Sequence, residues 1–211
     1  WSSDTFTGTQ YSVQNEALQI ENVEGVISEC RVLYTGENYR DASYEVDVQV
    51  VNEDMGNQDL GLVARYMSSE SYLYFSYAPW RAGTQETYQI TRRVGTSYET
   101  LASAAGNVQL QPGQTYTMRV EMDGESLKWY VNGELQLQAE DPSPVAGKIG
   151  LGQYESKGAG VLLCDNVKVT PIESEEQTAA GSEASSNRGK LSKTIEGLNP
   201  NTTYTLTAWA K

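Results

Sequence analysis

The feature that most constrains the fold of this chain is a repeated alternation of apolar and polar residues. In 44–50, every second residue is Tyr or Val, and the residues between them are Glu, Asp and Gln. The same period of two runs through 116–122 and 127–131. Because successive side chains of a β-strand point to opposite faces of the sheet, this pattern predicts strands with one buried face and one polar face.

Turn signals separate these segments. Asp123-Gly124 and Asn132-Gly133 flank the segment 127–131 and favour the tight turns that join antiparallel strands. No segment has the pattern of an amphipathic helix. Many short antiparallel strands favour an all-β fold in which two sheets pack as a sandwich. Further strands are predicted at 16–22, 26–34, 60–66, 71–77, 87–94, 96–102, 147–152 and 160–169.

Composition excludes several classes of function. The 211 residues include no histidine, which excludes Ser-His-Asp and Cys-His catalysis and imidazole zinc sites. The formal net charge of −13 repels phosphate backbones, so nucleic acid is not an expected partner. No stretch reaches the roughly 20 apolar residues of a membrane span, so membrane insertion is not expected. An enzyme built on this chain would depend on carboxylates, Tyr, Lys or a hard metal ion.

The character of the sequence changes after Pro171. We expect one β domain over 1–172, followed by a linker or long loop over 173–190, which is polar, small and acidic. Residues 191–211 contain two apolar-alternating pieces joined by Asn199-Pro200-Asn201, too little to fold alone. They are interpreted as part of a second β domain or as strands that dock on the first.

Several pieces of the first domain follow one another in a recognisable order. They are YSVQNEALQIEN, YRDASYEVDVQV, LGLVARY, SYLYFSY, TYTMRVEMDGESLKWYVNGEL, AGKIGLGQY and VLLCDNVKV. In this order they resemble laminin-G-like, concanavalin A-like jelly rolls. They are most similar to the fructan-binding carbohydrate-binding modules and the 3-keto-disaccharide hydrolase domains of bacterial glycosidases. The tail KLSKTIEGLNPNTTYTLTAWAK resembles part of a second carbohydrate-binding β-sandwich.

This resemblance implies an architecture and a setting. The expected fold is a two-sheet antiparallel jelly-roll sandwich, with a concave sheet face that can hold sugar. Such modules are appended to secreted bacterial glycosidases, so the expected location is extracellular, either secreted or attached to the cell surface. The expected partners are a glycan and the neighbouring domains of the parent protein.

The aromatic stretch 71–80 is the first candidate for the sugar-binding face. Leu73 and Phe75 should take the core, which puts Tyr72 and Tyr74 on the open face of the same strand. Their rings offer flat apolar surfaces with hydrogen-bonding tips, which suits a surface that holds a ligand. The alternative is that these tyrosines only cover the sheet, since Tyr is also a good strand residue.

Neighbouring strands and loops add further candidates. Arg and Gln supply directional donors for vicinal hydroxyls, and Trp80 lies in a loop marked by Pro and Gly. Alternatively, Arg65 and Arg93 pair with acidic neighbours on a solvated face. The late loop contributes two candidates for the rim. The candidate ligand-binding residues are Arg65, Tyr72, Tyr74, Trp80, Gln89, Arg93, Tyr154 and Glu155.

Asp165 falls in an apolar row with Val161, Leu163 and Val167, where a carboxylate must be paired, hydrogen-bonded or bound to a metal. The resemblance implies a structural calcium near this position, with Asp165 as a ligand and Glu16 and Glu21 as candidates for others. The alternative is an Asp that accepts backbone N–H bonds at a β-bulge. Calcium is therefore the one cofactor expected, and no other is.

The acidic segment 52–59 lacks the spacing of an EF-hand loop and is interpreted as a solvated loop. Cys30 and Cys164 both fall in apolar strands, where two buried thiols or a disulfide fit the pattern.

Three functions remain after these exclusions. The leading hypothesis is a non-catalytic carbohydrate-binding module. A structural or adhesin-like spacer that binds protein is the second, and a glycoside hydrolase on the same fold is the third. Hydrolysis needs two carboxylates facing one cleft, and the nearest pair in sequence is Glu45 and Asp47 on the polar face of 44–50. The chain itself is therefore expected not to be an enzyme.

Overall fold

The computed structural model describes residues 1–5, 9–14, 17–22, 28–51, 58–155 and 160–172. The chain divides into two compact units, Trp1–Glu175 and Glu176–Lys211. The predicted linker over 173–190 and the predicted second piece over 191–211 lie outside the described residues. Among the described residues there is no α-helix, and no helix is long and apolar enough to cross a membrane.

In its described residues, the first unit contains fourteen β-strands and one short 3-10 turn at Pro79–Arg81. The strands are β1 Ser2–Thr5, β2 Thr9–Gln14, β3 Ala17–Asn22, β4 Ser28–Leu33, β5 Ala42–Val50, β6 Gln58–Ser68, β7 Ser71–Tyr77, β8 Tyr88–Val94, β9 Ser97–Ala104, β10 Thr115–Asp123, β11 Ser126–Val131, β12 Glu134–Glu140, β13 Lys148–Glu155 and β14 Val161–Pro171. The sequence missed β1, β2 and β12, and the other strands lie close to their predicted positions.

These strands form two antiparallel seven-stranded sheets. Sheet I has the order β1-β4-β13-β6-β7-β8-β9, and sheet II has the order β12-β11-β10-β5-β14-β3-β2. The predicted turn at Asn132-Gly133 joins β11 to β12 with positive φ at both residues, which is what a tight hairpin needs. The fold is therefore the predicted all-β jelly-roll sandwich.

The core lies between the inner faces of the two sheets. β5 alternates buried and half-buried residues along its whole length, as its sequence period predicts. Trp129 of sheet II is fully buried, and its ring meets Phe75 and Tyr88 of sheet I at centroid distances of 6.3 and 4.8 Å. Edge-to-face aromatic contacts of this kind join the two sheets.

Cys30 and Cys164 are both buried and unbridged. They belong to β4 of sheet I and β14 of sheet II. Burial raises the pKa of the Cys164 thiol well above its usual value, so the thiol is an inert part of the core. The interpretation as two buried thiols is the one that the structure supports.

Arg65 does not stand on the open face of sheet I, so that prediction is wrong. The register between β6 and β7 shifts after Ala64, and Arg65 has a φ of 48°. Such a bulge interrupts the alternation of side chains and turns the next one in another direction. Val63, before the bulge, is paired with Tyr74, whereas Arg65, after it, is 1 % exposed.

The buried guanidinium of Arg65 organises a cluster of charges, the Arg65 cluster. Its Nη1 donates to Asp141 Oδ2 at 2.7 Å, and Asp41 Oδ1 lies 3.6 Å from Nη2. Nε and Nη2 also donate to the carbonyl of Arg40 at 3.0 and 2.9 Å. Asp141 also pairs with Arg92 at 3.3 Å. These contacts join β6 to the segments around residues 40 and 141, so Arg65 supports the fold and not the candidate site.

Candidate functional site

A pocket of about 420 Å³ opens on the outer face of sheet I, the face turned away from sheet II. This volume falls within the range of small-molecule sites in proteins. The predicted face of β7 is confirmed, because Leu73, Phe75 and Tyr77 are in the core while Tyr72, Tyr74 and Ser76 line the pocket. The alternation of β7 therefore directs one row of side chains inward and the other into the pocket.

The floor of the pocket is the ring of Tyr74, which lies against the backbone of β13. A Cβ placed on Gly152 would come within 2.6 Å of that ring. Gly152 is opposite Arg31 of β4 and Gly61 of β6 in the sheet register. A glycine at this position leaves room for an aromatic ring to lie close to the sheet.

One side of the pocket is formed by Glu29, Arg31, Tyr72 and Tyr98, which we call the tyrosine wall. Glu29 Oε1 accepts hydrogen bonds from Arg31 Nη1, from Tyr72 OH at 3.3 Å and from Tyr98 OH at 3.1 Å. Arg31 Nη1 also donates to Tyr72 OH at 2.9 Å, and the two tyrosine hydroxyls are 2.7 Å apart. Burial raises the pKa of Tyr72 and of Tyr98 above their usual values. The wall is thus a network of neutral hydroxyls around one ion pair.

Asp59 and Arg81 line another part of the pocket, and Trp80 lies beside them. We call these three residues the Trp80 end. The 3-10 turn begins at Pro79 and presents Trp80, whose side chain is half exposed. Trp80 Nε1 donates to Asp59 Oδ1 at 2.7 Å, and the guanidinium of Arg81 lies 4.3 Å from the centroid of the Trp80 ring. Asp59 and Arg81 both line the pocket. Trp80 therefore holds in place one hydrogen-bond acceptor of the pocket, Asp59, and one donor, Arg81.

Four polar atoms of pocket-lining residues are shielded from solvent and have no hydrogen-bond partner among the described residues. They are the hydroxyl of Tyr74, Nη1 of Arg81, and Oε1 and Nε2 of Gln153. Burial, and then the negative charge of Asp59, raise the pKa of Tyr74 well above its usual value, so its hydroxyl stays protonated. An unpaired buried donor is costly and is common at sites that receive a ligand or an ordered water.

The structure brings together half of the predicted ligand-binding residues. Tyr72, Tyr74, Gln89 and Tyr154 line the pocket. Trp80 lies beside it through its bond to Asp59. The remaining three candidates are in other places: Arg93 stacks on the ring of Tyr98 at 4.4 Å, Arg65 is in the Arg65 cluster, and the side chain of Glu155 lies outside the described residues.

Sequence reasoning missed several pocket residues. Glu29 and Arg31 come from β4, which the chain order separates from β7 by two strands and which only the sheet order brings near. Asp59 was interpreted as part of a solvated loop, but it lies in β6 opposite Tyr154. Arg81 follows Trp80 directly, and this adjacency in a Pro- and Gly-marked loop was the one signal that could have identified it.

Asp165 is exposed, so the prediction that it stands in a buried apolar row is wrong. Leu162 and Cys164 face the core before the bulge between Asp165 and Lys168, and Val167 packs against the core after it. Asp165 Oδ1 accepts the backbone N–H of Asn166 at 2.7 Å, which is the alternative that the sequence left open. Glu16 lies outside the described residues. Among the described residues, no group of three or more acidic or Cys side chains is placed so that it could hold a metal ion. Calcium stays a prediction.

Glu45 and Asp47 lie on the outer face of sheet II and not in the pocket. Asp47 accepts hydrogen bonds from Thr117 at 2.5 Å and from Asn166 at 2.8 Å, and Glu45 lies 3.9 Å from Arg119. These contacts are those of a solvated sheet face, so this pair is not a catalytic centre within the pocket of sheet I.

The two seven-stranded sheets and the pocket on an outer face define a class of protein, the concanavalin A-like jelly-roll sandwiches. Within that class, the chain belongs to the family of 3-keto-alpha-glucoside-1,2-lyase-like domains, which matches residues 1–170. No curated protein sequence matches the chain significantly.

Solved structures with this fold are related only distantly in sequence. The carbohydrate-binding module CBM66 from Bacillus subtilis has a TM-score of 0.60 at 17 % identity, over 79 % of this chain and 94 % of that one. A galectin-like protein of unknown function from Bacillus subtilis has a TM-score of 0.58 at 14 % identity, over 79 % and 89 %. A β-1,3-1,4-glucanase from a mouse hindgut metagenome has a TM-score of 0.52 at 14 % identity, over 77 % and 83 %. At these identities the likeness concerns the fold.

Proposed function

We propose that the first unit of this chain is a non-catalytic carbohydrate-binding module that binds a glycan in the pocket of sheet I. The observation that carries the proposal is the combination, in one pocket, of the Tyr74 ring as a floor with hydrogen-bonding groups around it. A sugar has apolar C–H faces that pack on an aromatic ring and hydroxyls that need donors and acceptors at the edge. The fold likeness to a carbohydrate-binding module supports this function.

The wider setting is part of the same proposal. We infer that the chain is one module of a secreted bacterial glycosidase, located outside the cell or on its surface, with the parent's other domains as neighbours. Binding through a single pocket of this size is modest, and several linked sites in one protein would raise the overall avidity. A structural calcium is kept as an expectation from the resemblance.

A second candidate function is catalysis, because two carboxylates face the pocket. Glu29 and Asp59 are both register partners of Tyr154, so their Cα atoms lie two strand spacings apart, about 10 Å. Paired carboxylates on either side of a bound sugar are the arrangement of glycosidases, and the family is described as lyase-like. The ion pair between Glu29 and Arg31 favours binding over catalysis, because it occupies the carboxylate that would have to react.

The experiment is a glycan-array screen of the full chain, with calcium and with a chelator. It compares the native chain with Tyr74→Ala and with Tyr130→Ala, a matched control on the outer face of sheet II. We expect the native chain and the control to bind the same glycans and Tyr74→Ala to lose them, with all three folded by circular dichroism. Absence of binding to any glycan would contradict the proposal and favour the structural or protein-binding alternative.

Turnover is measured on the same samples with the glycans that bind and with glucosides and their 3-keto forms. If product appears and is abolished by Asp59→Asn or Glu29→Gln, the chain is an enzyme and the module is not merely a binding domain.

A further inference from the structure

Two glutamine side chains lie between the sheets at one end of the core. Gln58 begins β6 and is on the same face of that strand as Leu60 of the core. Gln153 of β13 is opposite Leu60 in the sheet register, so its side chain also points toward sheet II. Gln58 and Gln153 are therefore diagonal neighbours on adjacent strands, close enough for long side chains to meet. We call them the glutamine pair.

The segment that leads into sheet II meets the glutamine pair at Gly160, the residue before β14. A Cβ placed on Gly160 would come within 2.4 Å of Gln153 Nε2 and within 2.9 Å of Gln58 Nε2. The two amide nitrogens therefore converge on one backbone position. Any larger residue at that position would displace both carboxamides, so the glycine keeps the space that they occupy.

Both carboxamides are buried and unpaired. Gln58 is 0 % exposed and Gln153 is 1 % exposed. The oxygen and the nitrogen of each side chain have no hydrogen-bond partner among the described residues. These four atoms are half of the eight buried side-chain atoms that lack a partner in the described part of the chain. Because an unpaired buried polar group is unfavourable, four of them in one place indicate a site that receives a polar molecule.

The chemistry of the glutamine pair selects a small neutral molecule that both donates and accepts. Each carboxamide has an oxygen that accepts and an NH₂ group that donates. One direct bond between the two amides would satisfy one donor and one acceptor, and would leave the other oxygen and nitrogen unpaired. A metal ion would bind the oxygens alone, and no group of three acidic or Cys side chains in the described residues is placed to hold one. A water molecule can donate to both oxygens and accept from the nitrogens, and buried waters make about three such bonds.

We propose that the glutamine pair forms a binding site for an ordered water that bridges β6 and β13, with Gly160 closing the site from the side of sheet II. This site lies in the core and does not depend on what the pocket of sheet I binds. It does support the strand beneath that pocket. Gln153 lies in β13 between Gly152 and Tyr154, and all three residues line the pocket.

The test uses water itself as the probe. NMR cross-relaxation between water and side-chain NH₂ groups in the full chain, labelled with ¹⁵N, separates long-lived bound water from surface water by its sign. We expect the bound-water signal at the NH₂ groups of Gln58 and Gln153, each identified by its loss in Gln58→Met or Gln153→Met. Gln136 is the matched control, because its oxygen accepts backbone N–H groups and its nitrogen donates to the carbonyl of Glu134. Its NH₂ group should give no such signal.

Stability provides a second measurement, because methionine has nearly the shape of glutamine without its hydrogen bonds. With a bridging water, each single variant leaves the water and the remaining carboxamide short of a partner. The equilibrium constant for unfolding, measured by urea denaturation, should then rise by about tenfold in Gln58→Met and in Gln153→Met. The double variant removes every polar atom of the site, so its unfolding constant should lie within about threefold of the native value.

The outcomes separate the bridging water from its alternatives. Bound-water signals at both glutamines, together with the recovery of stability in the double variant, support the site. The same recovery without any bound-water signal overturns it in favour of a direct bond between the two amides. Single variants that are as stable as the native chain, again without the signal, overturn it as well. If a methionine variant fails to fold, the native spectrum decides, because the glutamine pair and Gln136 are then compared in one sample.

Discussion

Arg65 and Arg81 are two arginines of the same sandwich that are used in opposite ways. Arg65 is 1 % exposed, and its donors are bound to Asp141 and to the carbonyls of Arg40 and Gly124. Arg81 lies on a 3-10 turn at the rim of a pocket, stacked on Trp80, with Nη1 unpaired among the described residues. A guanidinium whose donors are used within the protein stabilises the fold, whereas one with a donor left over is available to a ligand.

The contrast extends to the segments that carry these residues. Arg65 joins two hairpin ends that are remote in sequence, and each of its partners is backbone or buried carboxylate. The Trp80 end is one turn with a single strand residue, Asp59, as its anchor. We therefore expect changes in the Arg65 cluster to alter the free energy of unfolding and changes in the pocket to alter affinity, and each prediction below tests that separation.

The largest expected effect is that of Arg65→Met. Removing this guanidinium leaves Asp141, itself 2 % exposed, without its main partner, and breaking a buried ion pair from one side costs about 3–5 kcal/mol. Urea denaturation should show that loss, while the folded fraction binds glycan with native affinity. The control is Arg40→Met, because Arg40 is exposed and contributes only its carbonyl, so its free energy of unfolding should change by less than about 0.5 kcal/mol. Equal stability of the two variants would contradict the importance of the Arg65 cluster.

A smaller effect, on affinity, is expected from Gly152→Ala. The added methyl group would lie within 2.6 Å of the Tyr74 ring, so the ring must move away from β13 and the floor of the pocket is lost. We expect affinity for the bound glycan to fall by about tenfold, as measured by calorimetry. Gly152→Ala should also lower the free energy of unfolding of the native chain but leave it unchanged in a Tyr74→Ala background, where no ring opposes the methyl group. Equal losses of stability in the two backgrounds would mean that the methyl group clashes with something other than the Tyr74 ring.

The smallest expected effect is a loss of stability of the native protein at alkaline pH, which comes from Tyr72 in the tyrosine wall. Burial raises the pKa of Tyr72 above its usual value of 10.0, so the folded protein keeps a proton that the unfolded chain releases. The stability contributed by this neutral tyrosine is present below pH 10 and is lost as the pH rises above it. Between pH 9 and pH 10.5, the free energy of unfolding of the native chain should fall by roughly 0.8 kcal/mol more than that of Tyr72→Phe. Urea denaturation at each pH measures this difference. Parallel losses in the two proteins would show that Tyr72 ionises freely in the folded state.

Much of the fold was predictable because its signal is local. The alternation in 71–77 correctly divided β7 into core residues and pocket residues, and the turn at Asn132-Gly133 joins the expected hairpin. The directions predicted for the side chains of Arg65 and Asp165 were wrong for the same reason. Both residues lie where a β-bulge changes the direction of side chains. A bulge adds one residue to one strand of a pair, so the alternation read from a single strand does not reveal it.

The candidate site was predicted only in the part that one strand and its neighbour contribute. Tyr72, Tyr74 and Gln89 come from β7 and β8, which are consecutive in the chain and adjacent in the sheet. Glu29 and Gly152 come from β4 and β13, which lie far apart in sequence and pair with each other. Strand order within a sheet is decided by contacts between distant segments, and no local pattern in either strand specifies its neighbour.

The sequence by itself determined most of the strands, which faces of the regular strands are buried, and which chemistries are excluded by the absence of histidine. Only the tertiary structure decided that Arg65 supports the fold, that Asp59 and Arg81 meet at Trp80, and that Gly152 makes room for Tyr74. The physical reason is the range of the interactions involved. Alternation and turns depend on neighbours along the chain, whereas bulges, strand order and buried charge pairing depend on segments that meet only when the two sheets have formed.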